Sequence, residues 1–434
     1  MCFVLYVRVM IGRKIKNNSN SLYLGNRGMG PIVTAMSAEA SDMSSWLLMG
    51  LPGLAYLSGI CEPIWTALGL GIGTYLNWLF VARRLRRYSS NIEAFTIPQF
   101  FAKRFHDTKN GLSAVAALII IIFFVPYTAS GFAACGKLFN SLFGVDYTVA
   151  MIVSATIIVL YTITGGFRAV STTDFIQSCV MTVALVAVLV FGINAAGGWG
   201  AVVENAKSIP GHISLTEVFD VGTGSAASYG GVIAIISTLA WGLGYFGMPH
   251  ILVRFMAVKS EKEMKKSKGV AITWVTISLI MAAVIGIVGR AYMNFRTMRE
   301  AGSEKIFIEM IKKVFTEEMN APIVAGIFLC GILAAIMSTA DSQLLVSASA
   351  VAEDIFKGVI KKDAKDKTVL IISRVTIVII AIIAFLIAWN PDSSVMALVS
   401  DAWAGLGSAF GPLVLMSLFW KRTNIAGAIA GLIS

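Results

Sequence analysis

The residues of this sequence best suited to chemistry are oxygens without nitrogen or sulfur partners. In Ala-Ala-Ile-Met-Ser-Thr-Ala-Asp-Ser-Gln (334–343), Ser338, Asp341 and Ser342 share one helical face and Thr339 lies one step round. Three or four oxygens with few formal charges suit a hard monovalent cation. A second polar run, Ser-Ala-Glu-Ala-Ser-Asp-Met-Ser-Ser (37–45), carries Glu39 and Asp42 into apolar surroundings, and unwinding there would expose carbonyls near Ala40 and Met43. Intramembrane serine and threonine also bond back to their own helix, so either alone says little. Asp341 beside them points instead to an ion path. Asp174 follows Ser171, Thr172 and Thr173, where a helix cap explains it equally well. Asp401 sits in water or in the path, and Glu39 is placed along an inner vestibule. Trp46, Tyr127, Trp241, Tyr245 and Phe246 lie near the breaks and could wall a solute with an apolar ring and charged ends, although such aromatics also serve as packing or interfacial anchors.

Apolar helices must position these groups. Of 434 residues 57% are hydrophobic and 14% charged, against about a quarter charged in soluble domains. Apolar runs place ten spans at 31–58, 65–82, 112–135, 147–165, 173–195, 226–250, 270–293, 321–350, 369–389 and 395–420. The bilayer forces them to be helices, because lipid offers the backbone no partner. With the segment before the first span placed in the cytoplasm, twenty-six Lys and Arg fall on that side, Arg8 and Arg254 among them, and eight on the other. That is the positive-inside pattern. It accounts for the net charge of +11 without nucleic acid. The five cysteines (Cys2, Cys61, Cys135, Cys179, Cys330) are scattered and read as buried thiols, and His106, His212 and His250 stand apart. No nucleophile, base and orienting group occur together, so an enzyme is not expected, nor a cofactor. The spans are too apolar for the continuous polar pore of a channel.

Ten spans divide into two fives, each opening on an interrupted helix. The second interruption is Trp-Gly-Leu-Gly-Tyr-Phe-Gly-Met-Pro (241–249), where glycine weakens the helix and proline removes a backbone bond. Paired broken helices point to an inverted-repeat transporter with its site at the midplane, while close helix packing is the plainer use of such glycines. The expected organisation is a partial flanking helix and basic loop at 1–30, a first repeat at 31–195, an extracytoplasmic loop at 196–225, a second repeat at 226–420 and the start of a flanking helix at 421–434. The stretch Phe3 to Ile11 is too short to cross alone, and both ends read as shortened.

At these same residues the sequence resembles the solute:sodium symporter family, most closely its bacterial proline-carrying branch. The likeness rests on Gly-Asn-Arg-Gly-Met-Gly-Pro (25–31), Ser-Asp-Met-Ser-Ser-Trp-Leu-Leu-Met-Gly-Leu-Pro-Gly (41–53), Trp-Gly-Leu-Gly-Tyr-Phe-Gly-Met-Pro-His-Ile-Leu-Val-Arg-Phe-Met-Ala (241–257), Met-Ser-Thr-Ala-Asp-Ser-Gln-Leu-Leu (337–345) and Ala-Trp-Ala-Gly-Leu-Gly-Ser-Ala-Phe-Gly-Pro (402–412). The resemblance implies an all-α, five-plus-five inverted-repeat core in the cytoplasmic membrane. It implies sodium-coupled symport of L-proline, by a protein functional as a monomer. It assigns Ala40, Met43, Ala335, Ser338 and Thr339 to a shared sodium site, and Asp42 and Ser44 to sodium affinity. A second sodium site would use Asp174, Asp341 and Ser342. The solute would meet Ser45, Tyr127, Trp241, Tyr245 and Pro249, and Arg27 would serve coupling. The sequence departs from the best-known member of the family at Glu39 and Ser45, each in place of a glycine, at Asp341, in place of a serine, and at Asp401, in place of a tyrosine. Another small amino acid or carboxylate as solute, or a shortened form without transport, are the alternatives.

Overall fold

The computed structural model describes residues 7, 8, 10, 19–296, 298 and 302–434. The Phe3 to Ile11 stretch lies outside them except for Val7, Arg8 and Met10, as does Cys2.

Among the described residues seven helices are long and apolar enough to cross a membrane, or eight with one bent pair counted as a span, and with two shorter apolar helices they are numbered here as spans 1 to 10. Span 1 is broken, Pro31–Ala40 and Trp46–Ser58. Spans 2 to 5 are Cys61–Asn91, Gly111–Phe143, Tyr147–Ile163 and Phe167–Ala195. Span 6 is broken again, Gly231–Gly247 and Pro249–Ala257, with a bend of 46°. Spans 7 to 10 are Glu261–Tyr292, Pro322–Ile360, Asp366–Ile387 and Val395–Phe419. Local chemistry sets several ends. Pro31 and Pro249 start helices where a missing N–H costs nothing. The Asp146 carboxylate accepts from Thr148 N and Val149 N to begin span 4. Between spans 5 and 6 lie the helix Trp199–Ser208 and an antiparallel hairpin, Glu217–Asp220 with Ser225–Ser228, in which Glu217 faces Ser228.

The spans are apolar on their outer faces and bury a set of polar groups within an apolar core. Ile72, Leu118, Ile122, Val153, Leu160, Ile280, Ile327 and Ile382 are exposed on the spans, whereas Ser37, Glu39, Asp42, Asp174, Ser338 and Asp341 are fully buried. In water that arrangement would be unfavourable, and in hydrocarbon it is the stable one. Cys61 and Cys135 are buried, but Cys179 and Cys330 are exposed, contrary to expectation. Both stand on lipid-facing sides of their spans, where a thiol is as acceptable as any small apolar group.

The glycines of the second interruption serve breaking and packing together. Ala240–Gly247 tightens to a 3₁₀ helix and Met248 is extended before Pro249. A Cβ on Gly242 would lie 2.0 Å from the Gly69 carbonyl oxygen, and one on Gly73 would lie 2.1 Å from the Gly242 carbonyl oxygen. Spans 2 and 6 thus touch backbone to backbone.

Candidate functional site

The first break is where helix bonding stops. Met43 N still bonds to the Glu39 carbonyl (2.8 Å), but Ser44 N turns back to the Asp42 carbonyl (2.7 Å). The Ala40 carbonyl accepts instead from span 8, from Ser338 Oγ at 2.7 Å and Thr339 Oγ1 at 3.4 Å. Ser338 Oγ also reaches the Ala335 carbonyl at 3.1 Å. Of the residues assigned to the shared sodium site, Ala40, Ala335, Ser338 and Thr339 therefore meet in one buried volume with oxygen ligands only. Met43 is buried in the same break.

Asp42 organises the other side. Its carbonyl accepts from Trp46 Nε1 (3.0 Å) and the Tyr127 hydroxyl (3.1 Å), and its Oδ2 from the Tyr245 hydroxyl (2.7 Å). Ser44 Oγ accepts from Trp46 N (3.5 Å), and Ser45 is buried beside it. Three aromatics of the expected pocket, one from span 3 and one from each break, converge on this one aspartate. Trp241 does not. It stacks on Trp403 with centroids 6.3 Å apart, and the two line a cavity of about 620 Å³ with Phe246 between spans 6 and 10. Pro249 opens the inner half of span 6, and His250 next to it packs on Phe124 and Tyr127.

The residues assigned to a second sodium site are already engaged by arginines. Asp174 Oδ2 lies 2.8 Å from Arg254 Nη2 and accepts from Ser37 Oγ (2.7 Å). Arg254 also donates to Ser342 Oγ (2.5 Å), Ser37 Oγ (2.7 Å) and the His250 carbonyl (2.5 Å). Asp341 forms an ion pair with Arg8, whose guanidinium also lies 3.7 Å over the Tyr161 ring. Both arginines were placed in basic loops by charge counting. Both are buried, at 0% and 2% exposure, because each meets a carboxylate that could not otherwise be ionised in a dry interior. Sequence reasoning missed them as site residues. For Arg254 the available signal was its setting in the apolar run Ile-Leu-Val-Arg-Phe-Met-Ala.

Glu39 departs from its expected vestibule position: it is fully buried, and its Oε1 accepts from Trp78 Nε1 of span 2 at 2.7 Å. Asp401 is exposed. Arg27 ties three elements at the inner end, donating to the Met256 carbonyl (2.7 Å), the Ser89 carbonyl (3.0 Å) and the Ala94 carbonyl (2.7 Å). Burial and the neighbouring Arg86 lower its guanidinium to about 10, still charged at neutral pH.

Two broken helices crossing at buried oxygens, inside a shell of lipid-facing spans, define a secondary transporter of the five-plus-five inverted-repeat class. The chain belongs to the sodium:solute symporter family, whose pattern matches residues 22–434. It is 44% identical to the osmoregulated proline transporter OpuE of Bacillus subtilis over 95% of this chain and 81% of that one. It is 40% identical to a sodium/proline symporter of Staphylococcus aureus, covering 99% and 82%. Among solved structures, a Na⁺-coupled sialic acid symporter in a substrate-bound outward-open state shares the fold with a TM-score of 0.80 at 20% identity, covering all of this chain and 88% of the other. A nucleobase-cation-symport-1 family transporter, Mhp1, aligns with a TM-score of 0.58 at 15% identity, over 94% and 82%. The protein is a multi-pass membrane transporter and not an enzyme, and sodium is its coupling ion.

Proposed function

We propose that this chain carries L-proline inward across the cell membrane together with sodium, by alternating access, as a monomer in the bilayer. The observation that carries the reading is the Ala40 carbonyl, freed by the first break and met by the Ser338 and Thr339 hydroxyls of span 8. Sodium held by these oxygens, with the Ala335 and Met43 carbonyls, fastens span 1 to span 8. The same break presents Ser44 and Ser45 to the solute, beside the Tyr127 ring of span 3 and Tyr245, Trp241 and Pro249 of span 6. Proline offers an apolar ring to the aromatics and a carboxylate and amine to helix ends and hydroxyls. Names of relatives at 40 to 44% identity support proline as the solute.

Occupation by sodium favours the arrangement that receives proline, so the two bind cooperatively by linkage. Inward opening then requires the Arg27 tie between spans 2 and 6 to yield, which is its proposed role in coupling. Each sodium driven inward by 100 mV supplies about 2.3 kcal/mol, roughly a fifty-fold accumulation.

Uptake of radiolabelled proline into proteoliposomes, with an inward sodium gradient and with potassium in its place, tests the reading. Sodium-dependent uptake is expected, outcompeted by unlabelled proline. Sodium-dependent uptake of a different small amino acid or carboxylate would replace the solute, and no sodium-dependent uptake at all would overturn the function.

A further inference from the structure

Glu39 and Asp42 stand within one helical turn of each other and are fully buried. Glu39 Oε1 accepts from the Trp78 indole and Asp42 Oδ2 from the Tyr245 hydroxyl, each at 2.7 Å. The remaining oxygens, Glu39 Oε2 and Asp42 Oδ1, are buried without a hydrogen-bond partner. So is Asn77 Oδ1 of span 2, whose amide nitrogen is held by the Tyr245 carbonyl at 2.9 Å. Thr74, Asn77 and Trp78 follow the i, i+3, i+4 spacing that puts them on one face of span 2. The bonds of Asn77 to Tyr245 and of Trp78 to Glu39 turn that face towards both breaks. The Thr74 hydroxyl on the same face is likewise buried without a hydrogen-bond partner. From Asn77 to Val81 the helix widens into a π turn, a local feature that recurs at functional sites.

An acceptor buried without a donor is costly, and a carboxylate without counter-charge more so. Asp174 and Asp341 avoid that cost through Arg254 and Arg8. Among the described residues, neither Glu39 nor Asp42 has a cationic partner. The open positions are all oxygens, which selects a hard cation over a soft one. One monovalent ion here and one at Ala40 would match the two negative charges, whereas a divalent ion here would leave an excess positive charge.

We propose that Glu39, Asp42 and Asn77, with the Thr74 and Tyr245 hydroxyls, form a second sodium site between the first break and span 2, on the side of the break away from Ser338. It rests on the sodium-coupled reading above but uses a different helix. Glu39 is the decisive ligand, since it brings a fully buried carboxylate with one oxygen left unpartnered.

Equilibrium binding of radioactive ²²Na⁺ to the purified full chain at saturating sodium tests it. The wild type is expected to hold two ions, and both Glu39→Gln and the Ser338→Ala/Thr339→Ala double variant one each. Asn77→Ala, which keeps both acids, should weaken the second ion about five-fold or more, and it remains informative if Glu39→Gln does not fold. A wild-type count of one, abolished at Ser338 and Thr339 but unchanged in Glu39→Gln, would overturn the second site and leave the transporter reading standing. Uptake of a proton in place of the second sodium, measured in weakly buffered solution and absent from Glu39→Gln, would also overturn it.

Discussion

Two pairs of buried carboxylates differ in what neutralises them. Asp174 and Asp341 face Arg254 and Arg8, so their counter-charge belongs to the chain. The carboxylates of Glu39 and Asp42 accept from an indole and a tyrosine hydroxyl, neither of them charged. A guanidinium belongs to the chain, so the first pair needs no ion from solution, and Arg254 ties spans 5, 6 and 8 together. A cation from solution can leave, so the second pair and the adjacent Ala40 carbonyl change with the ion. Built-in charge marks the frame, and missing charge marks the cargo path.

Removing one member of the built-in pairs has the largest expected effect. Arg254→Met strands Asp174 and should cost about 3–5 kcal/mol, the usual penalty for half of a buried ion pair, read as a lowered thermal unfolding temperature in detergent. An unchanged temperature would mean that Asp174 does not need the arginine. Arg8→Met should destabilise less, because Arg254 also donates to Ser37, Ser342 and the His250 carbonyl, whereas Arg8 beyond Asp341 reaches the Thr162 carbonyl at a long 3.5 Å. Adding Asp341→Ser should restore most of the loss, since removing both charges leaves nothing unpaired. A double variant no better than Arg8→Met would deny the pairing.

Function separates the regions next. Ser338→Ala or Thr339→Ala should raise the sodium concentration for half-maximal uptake about five- to ten-fold, the value of a lost hydroxyl ligand of ~1–1.5 kcal/mol. Ser342→Ala, one turn further along span 8 and bonded to Arg254, should change it less than about two-fold. The reverse order would move the ion to the arginine-lined side. The smallest effect is expected at the inner tie. Arg27→Lys keeps the charge but loses the forked reach to Ser89, Ala94 and Met256, and should alter maximal uptake a few-fold at unchanged proline affinity.

The two breaks were legible in the sequence because their signals are local. A polar run inside an apolar span announced the first break, glycines with Pro249 the second, and helical spacing placed Ser338, Asp341 and Ser342 on one face of span 8 with Thr339 one step round. The frame was hidden because its pairs are remote: Arg8 and Asp341 are 333 residues apart, and Asp174 and Arg254 are 80. Counting charges by loop absorbed both arginines into topology. The packing of both Trp241 and Tyr245 on Trp403 was hidden as well, because it forms only once span 10 lies against the second break. Glu39 could be recognised as out of place, but its partner Trp78 becomes visible only once span 2 packs against the break.

Hydrogen exchange of the full chain in lipid nanodiscs, with sodium and with potassium at equal ionic strength, tests the contrast most directly. Sodium should slow exchange at 37–47 and at 335–343 and leave 165–177 unchanged. Protection confined to 165–177, or none anywhere, would contradict the assignment of cargo and frame.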